Sequence, residues 1–80
     1  MLSFELKTPK PSEAVDELEV FLDRAGLEAL LAQLRFLQEG KTEHVHLMAE
    51  SWGGSHLSEQ PQGRENIAIH HVKFLLRTQA

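Results

Sequence analysis

Leu2, Phe4 and Leu6 alternate with Ser3 and Glu5, the period-2 pattern of a strand with one buried face, and the pattern ends before Thr8-Pro9-Lys10-Pro11-Ser12. Leu18, Val20 and Leu22 repeat the alternation against Glu17, Glu19 and Phe21, which predicts a second strand over residues 16–22 as hairpin partner of the first. The period then changes. Leu27, Leu30, Leu31, Leu34 and Leu37 follow the i, i+3, i+4, i+7 spacing of one helical stripe, with Asp23 placed to cap the helix and Gly40 to stop it. Val45, Leu47 and Ala49 alternate with His44, His46 and Met48 in a third strand. A fourth spans residues 67–76, with Val72, Phe74 and Leu76 on one face. The order ββαββ predicts an α+β fold: a four-stranded, mainly antiparallel sheet with one helix packed across one face and the other face open.

The same spacings assign the second faces. Ala25, Ala29, Ala32 and Phe36 fall opposite the leucine stripe, so the back of the helix is partly apolar. Alanines chosen for helix propensity explain this as well as a strip for a second chain does. The open sheet face is expected to carry Glu17, Glu19, Phe21, His44, His46, Met48, Ile69, His71, Lys73 and Leu75. Enough of these are apolar to invite covering by a partner or by a second copy of the chain.

Composition narrows the class. With 80 residues, 41% of them hydrophobic and 25% charged, the chain is expected to form one small packed domain over 1–80, without a repeat or linker. It has no cysteine, which excludes disulfide staples and thiolate metal sites and suits a reducing compartment. No apolar run has the length of a signal peptide or a membrane span, so a cytoplasmic protein is expected.

The net charge of −4 is unevenly placed, since residues 1–40 hold eight acids against four bases and residues 41–80 hold four of each. Glu13, Asp16, Glu17, Glu19 and Asp23 disfavour a phosphate backbone and would steer a basic partner, or they form a solvated acidic surface. Nucleic acid and membrane are therefore not expected among its partners.

Residues 50–66 show no period of either kind, and a connection this long in so small a domain is held in place for a purpose or is disordered. The single tryptophan of the chain stands there, in Ser51-Trp52-Gly53-Gly54. The glycine pair lets the backbone turn sharply or pass close beneath a large ring. Trp52 is then a lid that anchors the loop on the sheet or a projecting anchor for a partner.

The block His44-Val45-His46-Leu47-Met48, Ser51-Trp52-Gly53-Gly54, Leu57-Ser58-Glu59 and His70-His71-Val72-Lys73 resembles the immunity protein 32 family of bacterial toxin–immunity systems. Gly26-Leu27-Glu28-Ala29-Leu30 fits that family's helix more loosely. The resemblance implies a small cytoplasmic protein that binds and neutralises the toxin domain of its own system, and it brings no catalytic residue. On this reading the residues expected to meet the partner are Trp52, Gly53, Gly54, Phe36, Phe21, Asp16, Glu17 and Glu19.

Other chemistries rank below this. His44 and His46 point the same way on a strand, and His70 or His71 could add a third nitrogen, the arrangement of a zinc or ligand site. Without cysteine or a poised acid, polar surface histidines are the simpler reading, so no metal and no cofactor is expected. Ser51, Ser55 or Ser58 with His56 lacks a nucleophile-elbow pattern, and no phosphate-cradling glycine loop is present, so the chain is not expected to be an enzyme.

Overall fold

The computed structural model describes residues 1–7 and 17–77. Strand β1 (Leu2–Leu6) is followed by β2 (Leu18–Leu22), helix α1 (Arg24–Gln38), β3 (His44–Met48), a single 3-10 turn (Glu50–Trp52), β4 (Ile67–Ile69) and β5 (His71–Leu75). The fold is α+β with antiparallel strand pairs, as the hydrophobic pattern predicts. Asp16, expected at the start of the second strand, lies outside the described residues.

The expected four-stranded sheet is divided. The strand predicted over 67–76 breaks at His70: β4 pairs with β1 in a three-stranded sheet of order β2–β1–β4, while β5 pairs with β3 in a separate two-stranded sheet. Competition for backbone partners explains the break. The carbonyl of Leu2, which would extend the β1–β4 ladder, accepts from the Ser58 amide at 2.8 Å, and the Ala49 amide takes the His70 carbonyl at 2.9 Å. Released from β1, the closing segment continues along β3.

The helix begins where Asp23 predicts, with its Oδ1 accepting the Gly26 amide at 2.8 Å. The same carboxylate lies 2.5 Å from the terminal amine of Met1, and that amine, with the Gly26 bond second, holds its pKa below the ordinary range. Gly40, at φ 75°, turns the chain after the helix. Leu37 is buried and Leu30 packs on the core, but Leu31 is 40% exposed, so the leucine stripe is wider than the surface it covers.

The core gathers Leu2 and Phe4 of β1, Leu47 of β3, and Ala49 and Leu57 at the ends of the turn segment. Phe4 and Phe74 meet edge-to-face at 6.1 Å, which joins the two sheets across the core. Leu18 and Val20 of β2 and Ile67 of β4 share the face of Phe4 and Leu6, yet each is at least two-fifths exposed.

Gly26 is buried at the closest approach of α1 to β1. A Cβ there would stand 1.8 Å from the Met1 carbonyl oxygen, which is itself fixed by the Asp23 amide at 3.1 Å. Alanine in place of glycine ordinarily favours a helix by about 1 kcal/mol. Gly26→Ala is instead expected to destabilise by about 2 kcal/mol, because first turn and strand must separate. A urea midpoint equal to or above that of the wild type would show that the contact yields freely.

The second face of the three-stranded sheet is covered, contrary to the expected open face. Ser3 and Glu5, the polar positions of β1, are fully buried. The Glu5 carboxylate accepts from Ser3 Oγ at 2.6 Å, the amides of Gln62 and Gly63 at 2.7 and 2.9 Å, and Asn66 Nδ2 at 3.0 Å. Asn66 also donates to Glu19 of β2 at 3.0 Å. Burial alone would raise the Glu5 pKa, but the four donors outweigh it and bring it from 4.5 down to about 2.

Candidate functional site

Among the described residues, the face left without a covering loop belongs to β3 and β5. Val45 and Leu47 are buried, so the intervening His44, His46 and Met48 point outward. The antiparallel register sets Leu75 opposite His44, Lys73 opposite His46 and His71 opposite Met48. Six outward side chains therefore form two short rows, and none of them is a carboxylate.

Within these rows the rings are in contact. His46 Nδ1 lies 2.8 Å from His71 Nε2 on the diagonal between strands, with the rings stacked at 5.0 Å and 23°. At that distance one nitrogen donates and the other accepts, so the pair is satisfied when one proton is shared between them. His44 meets His46 edge-on, also at 5.0 Å. Burial holds the His46 pKa below its usual value, helped by the nearby charges of His44, His71 and Lys73.

Trp52 closes one end of this surface. Its ring lies 5.4 Å from that of His71, while the side chain remains 58% exposed. It both anchors the turn and projects from it. The turn is built for this placement: Trp52 and Gly54 donate backbone bonds to the Ala49 carbonyl at 2.9 and 3.0 Å, and Gly53 reverses the chain at φ 87°. Gly54 then passes against β3, where a Cβ would lie 2.4 Å from the Met48 carbonyl oxygen and 2.6 Å from the Met48 Cβ. That carbonyl also accepts the amides of His56 and Leu57, which returns the chain to the core at Leu57.

The other expected contact residues are placed elsewhere. Phe36 lies on the back of α1, 41% exposed, with Lys41 Nζ 5.7 Å from its ring centre. Phe21 is half-buried on β2, beside the loop that carries Gly63, and Glu19 is engaged by Asn66. Glu17 is exposed at the start of β2, and Asp16 lies outside the described residues. Trp52, Gly53 and Gly54 thus share one turn, whereas Phe36, Phe21, Glu17 and Glu19 are distributed over the helix and the second strand.

The expected contact residues omitted His71 and Leu75, the neighbours that give the Trp52 face its extent, although both were expected on one open sheet face with His44, His46, Met48 and Lys73, where the β3–β5 register sets them. His70 does not join the histidine contacts described here. Among the described residues, no group of three or more histidine, cysteine, aspartate or glutamate side chains is arranged to hold a metal ion. No described helix is long and apolar enough to cross a membrane.

Comparison with known proteins finds no match among curated proteins and none among solved structures. The sequence model of immunity protein 32 does match, over residues 17–72, a span that runs from β2 through the helix and the tryptophan turn into β5. The chain belongs to the immunity protein 32 family.

Proposed function

We propose that this protein binds a cognate toxin domain in the cytoplasm of the cell that makes it and holds that toxin inactive, through surface complementarity and without chemistry of its own. The observation that carries the reading is the coincidence of the family match with an exposed tryptophan on a rigid turn. Large aromatic side chains that are partly exposed and conformationally fixed are the usual anchors of tight protein–protein contacts. Trp52 is held on one side by His71 and by three backbone bonds around Ala49 and Glu50, so little ordering is needed when a partner covers the other side.

Co-expression with the cognate toxin domain tests the function directly. Wild-type protein is expected to rescue growth and to co-purify with the toxin, and failure of both rejects the immunity role. Trp52→Ala is expected to weaken the complex by a factor of about 10 to 100 while thermal stability changes little. Undiminished affinity in that variant would place the contact on another surface.

A further inference from the structure

Building on the immunity role, we propose that the outward face of β3 and β5 is the toxin-docking surface and that it receives an acidic, carboxylate-bearing segment of the toxin. The uncovered position of this face is the first ground. The polar face of the other sheet is closed by residues 58–66 through Glu5, whereas His44, His46, His71, Lys73, Leu75 and Trp52 have no loop laid over them by those bonds. Trp52 and Leu75 bracket the face at 58% and 60% exposure, which provides apolar contact at both ends.

The partner's chemistry follows from the groups between those ends. Lys73 sits opposite His46 in the centre and takes no part in the Met1–Asp23 and Lys41–Glu39 ion pairs. Around it are the three imidazoles, and burial, with the charges of His44, His71 and Lys73, disfavours a proton on His46. The adjoining turn contributes Glu50, which is exposed, and Glu59, whose carboxylate accepts the Ser51 amide at 3.3 Å. An incoming carboxylate would supply the countercharge that the face lacks, accepting from Lys73 and from an imidazole N–H at once. Such an anion raises the lowered proton affinity of His46, so binding takes up protons and strengthens as pH falls.

Titration of the cognate toxin domain against wild type, Lys73→Glu and Lys41→Glu decides this, with circular dichroism confirming that each variant is folded. Lys41 pairs with Glu39 after α1 and lies over the Phe36 ring on the back of the helix, and so serves as the charge control. The expected result is a loss of affinity of at least about 30-fold in Lys73→Glu, no more than about twofold in Lys41→Glu, and tighter wild-type binding at pH 6 than at pH 8. Wild-type binding that persists in Lys73→Glu, or tightens in it, overturns the docking proposal and leaves the immunity role standing. Wild-type protein that neither binds nor protects overturns the immunity role itself.

Discussion

Replacing Glu5 with glutamine is expected to cost about 3 kcal/mol of folding stability, although the side chain changes by a single atom. Both carboxylate oxygens accept two donors each: Ser3 Oγ and the Gln62 amide on one, the Gly63 amide and Asn66 Nδ2 on the other. Whichever way the new amide turns, its NH2 faces a backbone N–H that has no other acceptor in this network. A buried donor left unmet costs roughly 1–3 kcal/mol, and the charge-assisted character of the remaining bonds is lost as well.

The pH dependence gives an independent check. A carboxyl whose pKa is about 2 in the folded protein against an ordinary 4.5 stabilises the fold by about 3 kcal/mol at neutral pH. Because the folded value is the lower one, this contribution is complete above 4.5 and is lost as pH falls toward 2. Urea midpoints at pH 7 and pH 3 should therefore differ more for the wild type than for Glu5→Gln, and the gap between the proteins should narrow in acid. Parallel acid dependence would refute the network as the source.

Gly54→Ala is expected to be the second severe substitution, with a loss of about 3 kcal/mol. The added methyl would meet the carbonyl oxygen, carbonyl carbon and Cβ of Met48, all within 2.8 Å. None of these can rotate away. Met48 belongs to the β3 ladder, and its carbonyl holds the return of the chain at His56 and Leu57. Relief requires the tryptophan turn to lift, so toxin binding is expected to fall together with stability, in contrast to Trp52→Ala. A variant with wild-type stability and weakened binding would argue against this coupling.

The alternation of β1 and β3 and the leucine period of α1 were legible in the sequence because each element gathers its apolar side chains on one face. So were the helix ends, since Asp23 and Gly40 act locally. The division at His70 was not legible, because it turns on which amide wins the Leu2 carbonyl, a contest between segments more than 50 residues apart. Glu5 was hidden for a related reason. Period 2 shows that Ser3 and Glu5 point away from the helix, but it carries no sign that residues 58–66 return to bury them.

The Trp52-Gly53-Gly54 turn was legible as a special position, since glycine pairs have few structural uses. Alternation also placed His71 with His44 and His46 on one face, but the contact of Trp52 with His71 depends on how the turn folds back and carries no periodic signal. Glu19 shows the opposite failure: read as part of an acidic surface, it is bound by Asn66 from a loop that has no recognisable period.

The three-stranded sheet has its earliest strand in the middle, flanked by β2 and by β4 at residues 67–69. Translation therefore delivers the central strand first and one of its two neighbours last. A nascent chain on the ribosome can form the β1–β2 hairpin but cannot complete the sheet until residue 69 has emerged. Nor can it form the β3–β5 face until residue 75 has done so. Contacts of such high contact order slow folding, and the β3–β5 face is complete only after nearly all of the described chain has left the exit tunnel.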